Sequence, residues 1–260
     1  AVVGTIWALS FVASNIPPFE RDFSHKDPTI KHQHKHSQIS SNLNNFIAFF
    51  VPISIVAGVG IYRKSLIHVH HGLVAIAAAR GFARLVTEFF KNFVGRLRPD
   101  FLSRCKWDKK LHECTGKIDK ILDGRQSFPS GHVSAAFAGM TILSLWLAGQ
   151  TGVWHFHSTS KSSTFNASRL ARLALTVLPL FWATYVAITR LQDYRHHVED
   201  VLAGGLVGIV SAIIFYRIFW QSPSEMADSE PRLLYTNDQT RPSRERFELA
   251  RFEVDDTESV

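Results

Sequence analysis

Long charge-poor apolar blocks constrain this chain more than any other feature. Phe46 to Tyr62 carries no charged side chain, and Val133 to Gly149, Leu170 to Ile188 and Val201 to Trp220 are nearly as apolar. Several are near the short end of the roughly 17–25 residues that a helix needs to cross a bilayer. Ser65 to Phe90 is a further block, but it carries Arg80, Arg84 and Glu88. Ala1 to Ile16 is another, and it starts abruptly. Without a basic leader or a following A-x-A site, it reads as a first span lacking its start rather than as a signal peptide. Tyr62, Trp146, Trp182 and Trp220 stand at or near block ends, where amphipathic rings favour the membrane–water interface. A buried helical bundle in water is the competing reading, and the blocks with their aromatic ends favour the membrane. The expected fold is all-α, a polytopic transmembrane bundle of six spans within residues 1–221. Residues 222–260 turn polar and acidic, ending Asp255-Asp256-Thr257-Glu258-Ser259-Val260, and are expected to form a disordered tail rather than a second domain.

Three clusters carry chemistry. Phe128-Pro129-Ser130-Gly131-His132 opens directly into the apolar run from Val133. A turn ahead of a long helix leaves backbone N–H groups without intrahelical partners, and with the helix dipole these form an anion site. His132 in the first turn could trade a proton with the bound anion; taken alone, the same pattern is an N-cap with a chance histidine. Lys91 and Arg98 are seven residues apart, which puts both on one face of a helix, and Pro99 keeps that helix from continuing. Their cationic heads suit the grip of phosphate oxygens. In the third cluster, Thr189-Arg190 precedes His196-His197 and Asp200. If this segment is helical, His196 and Asp200 are neighbours at i,i+4. The carboxylate could then accept the Nδ1 proton and leave Nε2 as a nucleophile. His197, at i,i+3 from Asp200, is the rival by position.

In their order these clusters resemble the type 2 phosphatidic acid phosphatase (PAP2) superfamily, whose pattern is K-x6-RP, then PSGH, then SR-x5-H-x3-D. The chain reads Lys91…Arg98-Pro99, Pro129-Ser130-Gly131-His132 and Thr189-Arg190…His196…Asp200. The one departure is Thr189 for Ser, which keeps the hydroxyl. The loop Pro17-Pro18-Phe19-Glu20-Arg21-Asp22-Phe23 is similar to that of eukaryotic lipid phosphate phosphatases, including the fungal diacylglycerol pyrophosphate phosphatases. The resemblance implies a haloperoxidase-like helical core and metal-independent hydrolysis, with no cofactor, through a phosphohistidine. It makes His196 the nucleophile, Asp200 its orienting carboxylate and His132 the acid and base. Lys91, Arg98, Ser130, Gly131 and Arg190 would hold the phosphate.

The remaining polar segments fit that setting. His25, His32, His34 and His36 lie among lysines with no Cys or clustered acids, a solvated loop rather than a metal site. Arg84 and Glu88 are expected to pair at i,i+4. Cys105 and Cys114, the only cysteines, share one loop; they are a candidate disulfide if it faces lumen or exterior. Asn166-Ala167-Ser168 is a formal glycosylation acceptor, expected to be unused because alternating spans put it opposite the catalytic loops. With a spanning first block, residues 17–45, 91–131 and 190–198 share one side of the membrane. Counting Lys and Arg makes that side cytoplasmic; the resemblance makes it lumenal or extracellular, in a vacuolar, endoplasmic-reticulum or plasma membrane.

The expected partners are the bilayer and a lipid phosphate, with no nucleic acid; oligomeric state has no signature here. Phosphatidate, lysophosphatidate and diacylglycerol pyrophosphate are the candidate substrates, unranked by the sequence. A phosphatase for sphingosine phosphate, a polyprenyl diphosphate or a sugar phosphate would keep every motif. A vanadium haloperoxidase would share the anion site but lack the spans. A transporter or inactive scaffold would leave His132, His196 and Asp200 without a role.

Overall fold

A computed structural model describes residues 1–154 and 168–221. Both the tail at 222–260 and Asn166 of the glycosylation acceptor lie outside the described residues. The described chain is helical: α1 Val2–Ser14, α2 Ser41–Tyr62, α3 Leu66–Val94, α4 Phe101–Cys105, α5 Ile118–Gly124, α6 Gly131–Thr151, α7 Arg169–Gln192 and α8 Val198–Phe219. A minimal antiparallel pair, Trp107–Asp108 with Glu113–Cys114, is the sheet among these residues.

Local chemistry sets the helix ends. The Ser40, Ser65 and Ser168 hydroxyls accept from the backbone N–H of Leu43, His68 and Ala171, starting α2, α3 and α7, as N-caps do for otherwise unpaired donors. α3 stops at Gly95, whose φ of 58° is a left-handed conformation that glycine adopts without Cβ strain. Four helices, α2, α6, α7 and α8, are long and apolar enough to cross a membrane. α1 is apolar but has 13 residues. α3 has 29 residues, but Arg80, Arg84, Glu88 and Lys91 interrupt its apolar character. Those two helices account for the gap between four and the six expected spans.

α6 is the central helix, packed against α2, α3, α7 and α8, while α1 lies on α3. One apolar cluster joins Ile76 and Ala79 of α3, Ile142 and Trp146 of α6, and Tyr216 and Phe219 of α8. α6 and α8 meet closely because Gly204 and Gly208 lack side chains. A Cβ on either would stand 2.6 Å from a carbonyl oxygen, that of Ser130 or of Ser134. Small residues four apart let helix backbones approach in this way. Outward, Phe46 and Phe50 of α2, Leu178 and Phe181 of α7, and Leu202 and Leu206 of α8 are exposed. Such a broad apolar exterior suits lipid and not water.

The start of α2, the end of α3, the starts of α6 and α8 and the end of α7 gather at one end of the bundle. Contacts between the polar segments there fix this: His34 Nδ1 lies 2.7 Å from Asp100, the Gln38 N–H donates to Asp193, and the Ser130 N–H donates to the Asp200 carbonyl. Phe23, Ile30, Leu97, Phe101 and Trp107 pack a small apolar core beneath the loops. Cys105 and Cys114 are joined by a disulfide in the same layer.

Candidate active site

The turn before α6 supplies the first groups. Ser130 is fully buried, and its Oγ has no hydrogen-bond partner among the described residues. Gly131 lies against Lys91: a Cβ there would sit 3.1 Å from Nζ. His132 is tied from two sides, with Nε2 3.1 Å from Ser41 Oγ and its carbonyl accepting from Asn44 Nδ2 at 2.9 Å.

Cations surround this turn. Lys91, Arg98, Arg190 and Arg195 line one cavity of about 780 Å3 together with His132 and His196. Lys91 Nζ donates to Glu88 at 2.8 Å, so the expected Arg84–Glu88 pair does not form. Arg84 instead stands over the Trp7 ring at 5.9 Å. Lys91 and Arg98 do not share a helix face, because α3 ends before Arg98; the left-handed turn at Gly95 leads the chain back so that Arg98 lines the same cavity. Arg98 is braced by Asp123 at 2.8 Å. Arg190 is braced by Asp193, the Ile39 carbonyl and Ser37. Thr189 Oγ1 accepts from the Arg190 guanidinium at 3.2 Å, which a serine hydroxyl could also do. The Nε groups of Arg98 and Arg195 have no partner among the described residues.

His196 is held otherwise than its spacing suggests. α8 begins at Val198, with His197 as its N-cap, so His196 and Asp200 are not on one continuous helix. Asp200 Oδ2 lies 3.9 Å from His196 Nδ1, beyond hydrogen-bond range. Nδ1 instead meets the Ser127 carbonyl at 2.7 Å. A carbonyl only accepts, so Nδ1 carries the proton and Nε2 is left with the lone pair. Asp200 accepts from Ser127 Oγ at 2.6 Å, from the His197 N–H at 2.9 Å and from Arg96 Nη1 at 2.8 Å. It therefore reaches His196 through Ser127. Burial, reinforced by the nearby Arg98 charge, pushes His196 well below the ordinary histidine range. His197 lines a second cavity of about 670 Å3 and not the first.

The family model described as the PAP2 superfamily matches residues 72–224. A probable diacylglycerol pyrophosphate phosphatase 1 of Schizosaccharomyces pombe is 34% identical over 212 residues, 77% of this chain and 72% of that protein. Diacylglycerol pyrophosphate phosphatase 1 of Saccharomyces cerevisiae is 36% identical over 215 residues, 77% and 71% of the two chains. The chain belongs to the PAP2 superfamily. Lipid phosphate phosphatase 1 of Arabidopsis thaliana is also similar, 35% identical over 183 residues, 68% of this chain and 53% of that protein. No solved structure matches. With its four apolar helices, this PAP2 chain is an integral membrane protein.

Sequence reasoning missed several residues that line this cavity or brace the side chains around it. Arg195 was hidden among the unspecified positions of the third cluster, and a positive φ of 52° at Tyr194 turns the chain just before it. Its one signal was a basic side chain beside His196. Ser41, Ser127 and Arg96 had no signal at all, because each contributes through a contact made across distant parts of the chain.

Proposed function

We propose that this chain is a lipid phosphate phosphatase working through a covalent phosphohistidine. The carrying observation is that Lys91, Arg98 and Arg190 line one cavity with His132 and with a buried His196 that burial holds well below the ordinary histidine range. The same cations, with the Ser130 hydroxyl and the Gly131 N–H, hold the three phosphoryl oxygens, where charge builds in the transition state. His196 Nε2 attacks phosphorus as the bond to the leaving oxygen breaks. His132 gives that oxygen its proton. Water then attacks the phosphohistidine, His132 takes the water's proton, and inorganic phosphate leaves with the His196 lone pair restored. Asp200 is a positioning residue, steadying Ser127 and through it the nucleophile.

Six spans complete the bundle, with α1 and α3 beside the four apolar helices, and residues 1–221 form the phosphatase domain ahead of the tail. The substrate is a lipid: its chains stay in the bilayer while its phosphate enters from the membrane surface. Similarity to proteins named for diacylglycerol pyrophosphate and lipid phosphates supports those compounds and phosphatidate. The Cys105–Cys114 disulfide at the site end supports a lumenal or extracellular face, in a vacuolar, endoplasmic-reticulum or plasma membrane. The deciding experiment is phosphate release by detergent-purified protein from phosphatidate and diacylglycerol pyrophosphate with chelator present. Release by the wild type and none by His132→Ala is expected; silence on every lipid phosphate overturns the reading.

A further inference from the structure

Arg80 and Arg84 lie one turn apart on α3 and line the same cavity as the two histidines. Arg80 is 7% exposed. Its Nη2 donates to Asn45 Oδ1 at 2.9 Å, and its Nε has no acceptor among the described residues. The acid nearest in sequence, Glu88, pairs with Lys91, and among the described residues no carboxylate pairs with Arg80 or Arg84. Like charges at i,i+4 repel, and cations within a span are rare unless they pair or face a functional cavity. The missing counter-charge is what a ligand in the cavity would supply.

Its place follows from α2. Ser41, whose Oγ meets His132 Nε2, is one turn above Asn45, which meets Arg80. The four residues between them rise about 6 Å along a helix, and α2 runs from the site end into the bundle. The Arg80 guanidinium thus lies about one turn deeper than the group that protonates the leaving oxygen. In a monoester, neutral glycerol carbons and ester oxygens occupy that depth. In a phosphoanhydride, the leaving group begins with a second phosphate.

The geometry points to a second anion subsite, made by Arg80, Arg84 and Asn45, that takes the phosphate remaining on the leaving group of a lipid pyrophosphate. This rests on the phosphatase reading above and adds to it the basis for discriminating pyrophosphate from monoester. Charge-assisted hydrogen bonds of this kind carry about a tenfold effect or more.

The test compares the wild-type chain with the Arg80→Gln/Arg84→Gln double variant. Turnover is measured on diacylglycerol pyrophosphate and on phosphatidate in mixed micelles, and thermal stabilisation is measured with inorganic pyrophosphate and with orthophosphate. The double variant is expected to lose at least about tenfold in kcat/KM on the pyrophosphate lipid but under about threefold on phosphatidate. Inorganic pyrophosphate should stabilise the wild type more than orthophosphate does, and the variant should lose that advantage. Equal losses on both lipids, or no loss on either, overturn the subsite. If neither lipid is cleaved by the wild type, the catalytic reading falls, and the stabilisation data still decide the subsite. If the variant does not fold, wild-type protein stabilised no better by pyrophosphate than by orthophosphate overturns it.

Discussion

The imidazole of His196 is held by the Ser127 carbonyl at 2.7 Å, while the Asp200 carboxylate stands 3.9 Å away. Asp200 instead fixes Ser127, through its hydroxyl, and the start of α8. Ser127→Ala keeps the carbonyl but removes that tie, leaving the buried carboxylate a donor short at a cost of about 1–3 kcal/mol. We expect a loss of about tenfold or more in kcat with KM little changed. Steady-state kinetics check it, and a change confined to KM would contradict it.

His196→Ala should leave only background phosphate release, whereas His197→Ala should keep most of the activity. His197 faces a different cavity and meets Asp200 at 3.3 Å, so its loss perturbs a support and not the proposed nucleophile. Acid-labile phosphate trapped on the wild-type protein should survive in the His197 variant and vanish in the His196 one.

Stability should fall on acidification. The folded protein holds His196 well below 6.5, so the contribution of the neutral ring is complete above 6.5 and is lost as pH drops from there toward the folded value. Melting temperatures in detergent between pH 7.5 and 5 should decline more steeply for wild type than for His196→Gln. Parallel slopes would show that the ring is not responsible.

The Cys105–Cys114 bridge closes a loop of sequence separation 9, for which chain entropy gives a stabilisation of about 2–3 kcal/mol. Cys105→Ser/Cys114→Ser should lower the melting temperature by several degrees while sparing turnover of the protein that remains folded. Parallel scans of the oxidised and reduced wild type provide the control.

The groups proposed to meet phosphate were legible in the sequence because that chemistry admits few substitutes: Lys91, Arg98, Ser130, His132, Arg190 and His196 fall into order without coordinates, and all but Ser130 line one cavity. What was not legible was how the backbone delivers them. The i,i+4 relation of His196 to Asp200 assumed a helix that starts only at Val198. The seven-residue step from Lys91 to Arg98 assumed one that stops at Val94. Glu88 was expected to pair with Arg84 at i,i+4, but Lys91 at i,i+3 takes it instead. The apolar blocks located the helices well, but hydropathy alone does not reveal that a charged helix such as α3 lines a cavity.

Gly204 does not line the cavity, yet it sets the height at which the Ser130 turn rests. A methyl group at that position would press on the Ser130 carbonyl from 2.6 Å, and the turn would have to rise or α8 recede. The smallest side chain in the genetic code's repertoire is therefore already too large, and the fit between two helices becomes a tolerance on the turn at the bundle's rim.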